Sequence, residues 1–136
     1  MPFDASTEPC PCGRTDARGR RLPFGRCCGP FLSGDADAPD AESLMRSRYS
    51  AFVLERPDYL LATWHPGTRP AQLQLDPGLR WVGREVKQHS PIDGDHAEVE
   101  FVARSRRGSG PAERLHERSR FVRQGGRWAY LDGDLS

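Results

Sequence analysis

The stretch Cys10-Pro11-Cys12-Gly13, followed after Arg26 by Cys27-Cys28-Gly29-Pro30, contains all four cysteines of the 136-residue chain. Two short thiol pairs, each presented from one turn, can supply the four ligands of a tetrahedral structural zinc site, where Zn–S distances are about 2.3 Å. Gly13 lets the backbone turn with positive φ and leaves its amide free to approach a sulfur. Gly29-Pro30 closes the second half in the same way. Disulfides are the alternative. Four cysteines allow three pairings. One joins adjacent Cys27 and Cys28, which is strained, and the other two staple one small loop twice, so the second bridge adds little loop entropy. Met1-Pro2-Phe3-Asp4 has neither a basic start nor an apolar run, so no secretory leader is expected and the chain reads as cytoplasmic. Cysteines in that compartment more often serve metal. Metal ligation by Cys10, Cys12, Cys27 and Cys28 is therefore the favoured reading, and disulfides or free thiols the competing one.

Five arginines (14, 18, 20, 21 and 26) against three acids (Asp4, Glu8 and Asp16) surround these thiols. They can offset the negative charge of four thiolates around a divalent ion and favour thiolate over thiol. Composition explains them as well, because nineteen of the twenty basic residues in the chain are arginine. Before residue 35 there are almost no core-formers beyond Leu22, Phe24, Phe31 and Leu32. Such a segment is expected to fold on metal, whose binding contributes about 10–16 kcal/mol in comparable small sites.

The length suits one ordinary domain with a small appendage. Residues 1–34 read as the metal-binding segment and residues 35–136 as an α+β domain. A net charge of +1 gives no global argument for nucleic acid or membrane, and no apolar stretch approaches a transmembrane length. Asp40 is a helix cap, and Leu44, Met45, Tyr49, Phe52 and Val53 then repeat at helical spacing over Ala41 to Leu54, predicting one apolar face. Pro57 ends that helix, and Asp58 caps a short second one over Tyr59 to Thr63. Strands follow over Trp81 to Gln88, His96 to Arg104, Glu113 to Arg123 and Arg127 to Leu131. Asp93-Gly94 and Gly125-Gly126 mark the first and last turns between them, and a glycine-containing loop follows Arg106. The expectation is α+β: helices packed on one face of a curved, mainly antiparallel four-stranded meander.

Two charges break the apolar pattern. Arg48 falls inside the apolar arc of the first helix, and Glu117 shares a strand face with Leu115 and Phe121. Each alone is an expensive buried charge, so the two are expected to meet in the interior or at a pocket wall. Snorkelling of each to water is the competing reading. Candidate pocket residues are Arg48, Tyr49, Phe52, Trp64, His65, His116, Glu117 and Trp128.

The blocks Cys10-Pro-Cys12-Gly13, Phe24-Gly-Arg-Cys27-Cys28-Gly29-Pro30, Leu44-Met-Arg-Ser-Arg-Tyr-Ser-Ala-Phe52, Ala62-Thr-Trp64 and His116-Glu-Arg-Ser-Arg-Phe121 resemble the bacterial YchJ family over nearly the whole chain. That family joins an N-terminal SEC-C motif to a nuclear transport factor 2-like domain. The resemblance implies that Cys10, Cys12, Cys27 and Cys28 bind zinc, with iron as the alternative metal. It implies a cone-shaped fold around a pocket. It also implies a protein partner, because the SEC-C motif of the SecA translocation motor contacts the chaperone SecB and the ribosome. Members of the family usually carry about eight residues between the cysteine pairs, against fourteen here, a difference that adds little closure entropy. Arg18, Arg20, Arg21 and Arg26 can take over from the lysine of that loop.

Three functions compete. A zinc-stabilised knuckle presenting a basic surface to chaperone, ribosome or secretion machinery is the first, and four protein ligands leave no open position for metal catalysis. A small-molecule site or hydrolase-like enzyme in the α+β domain is the second. It is less favoured, because neighbours such as His116 and Glu117 face opposite sides of a strand and no nucleophile motif is present. Nucleic acid is the third. The eight arginines from Arg104 to Arg127 allow it, but a solvated strand face explains them better.

Overall fold

The computed structural model describes residues 7–136. Residues 1–6, counted above in the metal-binding segment and read as lacking a leader, lie outside the described residues. Among the described residues no helix is long and apolar enough to cross a membrane.

Helix α1 (Gly29–Ser33) follows a single 3₁₀ turn at Phe24–Arg26. Helix α2 spans Ala41–Val53, and the Asp40 carboxylate accepts a hydrogen bond from the Ser43 amide at 2.7 Å, the capping contact expected from the sequence. The chain then breaks at Glu55, a non-glycine residue with φ 56°. Helix α3 is Pro57–Ala62, two residues earlier than predicted. Asp58 is not its cap. Proline's fixed φ suits the first helical position, so Pro57 begins the helix and Asp58 lies in its first turn, paired with Arg56 at 2.9 Å.

Four strands follow: β1 (Leu79–Asp93), β2 (His96–Arg107), β3 (Glu113–Gln124) and β4 (Arg127–Leu135). They pair antiparallel in the order β1-β2-β3-β4, the meander predicted. Strand β1 runs five residues past the predicted end, because an edge strand tolerates Pro91, whose missing N–H no ladder bond needs. Its register shifts at Trp81/Gly83, Val86/Gln88 and Pro91/Asp93, so one face does not follow a simple alternation. Strand β4 continues four residues past Leu131, with Arg120 of β3 pairing outward to both Asp132 and Asp134.

Helix α2 was expected to bury one face. Instead nine of its thirteen residues are buried. Ala41, Leu44, Met45 and Tyr49 pack on Ala97, Val99, Ala103 and Phe121 of the sheet. On its other side Ala51, with Tyr59 and Leu60 of α3, packs against Cys10, Cys12, Phe24, Cys28 and Leu32. Ser47 and Ser50 are fully buried, and their small side chains let the neighbouring segments approach closely. The Ser47 hydroxyl is satisfied by the Leu44 carbonyl at 2.8 Å and the Tyr59 hydroxyl at 2.7 Å.

Asp40→Ala removes the α2 cap. It is expected to lower the unfolding free energy by about 0.5–2 kcal/mol in urea titrations followed by circular dichroism.

Candidate metal centre

The fourteen residues between the cysteine pairs fold back as a narrow hairpin. Cys10 donates its amide to Leu22 O at 2.9 Å, Leu22 to Arg14 O at 3.0 Å and Asp16 to Arg20 O at 2.8 Å. The Asp16 carboxylate closes the tip by accepting from the amides of Arg18 and Arg20. This return places Cys27 and Cys28, at the entry to α1, beside Cys10 and Cys12. All four Sγ atoms lie within 4.8 Å of one another, and Cys12 and Cys27 approach to 3.5 Å without a disulfide. A tetrahedron with Zn–S bonds of about 2.3 Å has edges of about 3.8 Å, so the sulfurs fit one cation. Cys10, Cys12 and Cys28 are buried, and Cys27 is partly exposed.

Gly13 has φ 73° as expected, but its amide donates to Cys10 O, and Arg14 is the residue whose amide approaches Cys12 Sγ, at 3.4 Å. At Gly29 a Cβ would stand 2.8 Å from the Phe24 carbonyl oxygen, so close backbone approach holds the second pair in place.

Proton sharing in this cluster is lopsided. The neighbouring Cys12, Cys27 and Cys28 side chains hold the Cys10 thiol far below the usual range, against the effect of burial. Cys12 is raised by Cys10 but lowered more by Cys27 and Cys28, and comes to about 7. Cys28 is pushed far above the usual range by Cys10, Cys12 and Cys27 and by burial. Four thiols this close cannot all ionise alone, and a divalent cation bound among them would stabilise the thiolates.

Positive charge comes partly from outside the segment. Arg21 donates to Cys10 O at 2.6 Å, and Arg46 of α2 donates to Cys12 O at 3.0 Å. Arg84 of β1 also donates to Cys12 O and lies over the Tyr49 ring. Glu42 ties Arg46 and Arg14 together at 2.8 and 3.5 Å. Arg18, Arg20 and Arg26 point to solvent instead. Of the arginines expected to offset the centre, only Arg14 and Arg21 reach it, and Arg46 of α2 and Arg84 of β1 join them.

The candidate pocket residues scatter. Arg48, Phe52, Trp64 and Glu117 line one cavity of about 210 Å³ with Met45, Ser119, Phe121 and Tyr130. Tyr49 does not, because one residue turns the helix by about 100°, and it packs on Trp81 instead. His65 bonds its own loop, its Nδ1 accepting from the Gly67 amide at 2.9 Å. His116 lies on the outer sheet face, 2.6 Å from Glu100. Trp128 sits two residues along β4 from Tyr130, under Arg123, and lines a separate groove. Ser119 and Tyr130 were not among the candidates, although Ser119 shares the alternation of Glu117, and Phe121 was placed only on the strand face of Glu117. Tyr130 was hidden by the shift of register between Arg120 and Phe121.

Arg48 and Glu117 share this cavity without pairing. Arg48 is 7 % exposed, and its Nη1 donates to Leu60 O and Thr63 Oγ1, both at 2.7 Å. The guanidinium lies over the rings of Tyr130 at 4.6 Å and Trp64 at 5.2 Å. Glu117 accepts from the hydroxyls of Ser119 and Tyr130. Burial lowers Arg48 to about 10, still a cation at neutral pH.

Fold and site together define a four-cysteine N-terminal knuckle docked on a helix-and-curved-sheet domain. The solved structures of two SEC-C motif containing proteins are similar. One, in solution, from Rhodopseudomonas palustris has a TM-score of 0.76 and 35 % identity, covering 87 % of this chain and 95 % of that one. The other, a crystal structure from Psychrobacter arcticus, has a TM-score of 0.80 and 33 % identity, covering 98 % and 86 %. The family described as "YchJ, middle NTF2-like domain" matches residues 40–133. A UPF0225 protein of Polaromonas naphthalenivorans is 61 % identical over 94 % of this chain and 98 % of its own length. A UPF0225 protein of Ralstonia nicotianae is 50 % identical over 100 % and 97 %. The chain belongs to the YchJ family.

Gly29→Ala forces the Phe24 carbonyl away from the second cysteine pair. A stability loss of about 1–3 kcal/mol is expected in urea titrations of the metal-loaded protein, together with faster metal loss to a chromogenic chelator.

Proposed function

We propose that this protein is a cytoplasmic zinc-binding accessory factor whose knuckle presents a basic surface to a protein partner. The observation that carries the reading is the convergence of four sulfurs within 4.8 Å on a chemistry suited to zinc. Cys10, Cys12, Cys27 and Cys28 would hold the ion, with iron as the alternative. The ion would act structurally, neutralising thiolates and locking the hairpin, with no position left for substrate.

The contact surface is the hairpin tip and the turn after it. Arg18, Arg20 and Arg26 are exposed there and make no ion pair among the described residues. On the sheet five of the eight arginines from Arg104 to Arg127 (107, 118, 120, 123 and 127) each face a carboxylate. Free arginines on one small protrusion favour an acidic protein surface, and interleaved carboxylates on the sheet weaken the case for nucleic acid. A chaperone, the ribosome or secretion machinery fits that partner chemistry.

Mass spectrometry of protein purified from its own host is expected to show one zinc per chain, and Cys27→Ser to abolish it. Capture of partners by the full chain should be lost in the Arg18→Glu/Arg20→Glu double variant, with zinc content unchanged. Undiminished capture by that variant would refute the surface assignment, and a zinc-free native protein would refute the metal.

A further inference from the structure

We propose that the cavity between α2 and the sheet binds a small zwitterion of the amino-acid type, its carboxylate on Arg48 and its ammonium on Glu117. The inference is independent of the zinc reading. Arg48 is fixed but only half used. A guanidinium has five N–H donors, and among the described residues only Nη1 finds acceptors, at Leu60 O and Thr63 Oγ1. Nε and Nη2 have no protein partner on a side chain that is 7 % exposed and forms part of the cavity wall. Their planar geometry matches a carboxylate.

Glu117 supplies the opposite pole. Its Oε2 takes the hydroxyls of Ser119 and Tyr130, and its Oε1 has no protein partner among the described residues. Tyr130 stays a donor to that carboxylate, because burial and then the Glu117 charge push its phenol well above the ordinary value. Arg48 and Glu117 line the same cavity, and each spends its hydrogen bonds on partners other than the other. A simple anion on Arg48 would face the Glu117 charge, and a simple cation on Glu117 would face Arg48. A molecule carrying both charges is repelled by neither.

Size and walls narrow the class further. A cavity of about 210 Å³ is smaller than the ~300–1,000 Å³ of drug-sized sites. Met45, Phe52, Phe121 and Trp64 give it apolar sides for a short side chain.

Calorimetric titration of the full-length, zinc-loaded protein with the common L-α-amino acids tests this. At least one small apolar amino acid should bind with a Kd below about 1 mM, and its matching simple carboxylate and simple amine should each bind at least about tenfold more weakly. Glu117→Gln keeps acceptors for Ser119 and Tyr130 and removes the charge. It should weaken the amino acid about tenfold or more while leaving the melting temperature of the ligand-free protein near wild type. Arg48→Lys keeps a charge and loses the fork, and should weaken binding as well. No binding of any amino acid below about 10 mM overturns the proposal, as does equal binding of the simple carboxylate or undiminished affinity in a folded Glu117→Gln protein.

Discussion

Four sulfurs held within 4.8 Å of one another are the constraint on which the amino-terminal quarter depends. They cannot all shed their protons without a cation, and the hairpin that gathers them contains few apolar side chains. The segment is not a free appendage, however. Its cysteines, Phe24 and Leu32 share a packed cluster with Ala51, Tyr59 and Leu60. Arg46 and Arg84 reach from helix and sheet to the Cys12 carbonyl. Whatever orders the sulfurs therefore also covers one flank of α2, and α2 in turn supports the sheet.

This double burial explains a helix whose composition looks weak. Serines at 43, 47 and 50 would read as a solvated face, yet all are buried. Arg48 is the extreme case. Removing a guanidinium from water costs several kcal/mol. Two hydrogen bonds from a charged group, at about 1.5–3 kcal/mol each, and two ring faces, at up to about 2 kcal/mol each, offset that without a carboxylate. The Arg48 charge can thus be held in place while leaving Glu117 to other partners.

Much of the architecture was legible. The Asp40 cap and the helical repeat located α2. Asp-Gly and Gly-Gly turns separated strands whose alternation was clear in His96 to Arg104. Element ends were less legible where physics ran against local rules. Proline at 57 starts a helix it was expected only to precede, Pro91 sits inside an edge strand, and three register shifts scramble the pattern of β1. At the cavity, helical spacing related Arg48 to Phe52, and strand alternation placed Glu117 inward. Tyr49 was grouped with them by the same helical repeat, His65, His116 and Trp128 by residue chemistry alone, and geometry separates all four.

Residue types and their order along the chain determined by themselves the thiol set, the helix-then-meander layout and the two interior charges, because each is a matter of chemistry or short-range periodicity. Only the tertiary structure decided that the thiol hairpin packs into the core of the rest, that guanidiniums from α2 and β1 grip its backbone, and that Tyr130 sits over Arg48 while donating to Glu117. Those outcomes hang on long-range register and on which backbone carbonyl lies within reach, and neither is encoded in the spacing of any one segment.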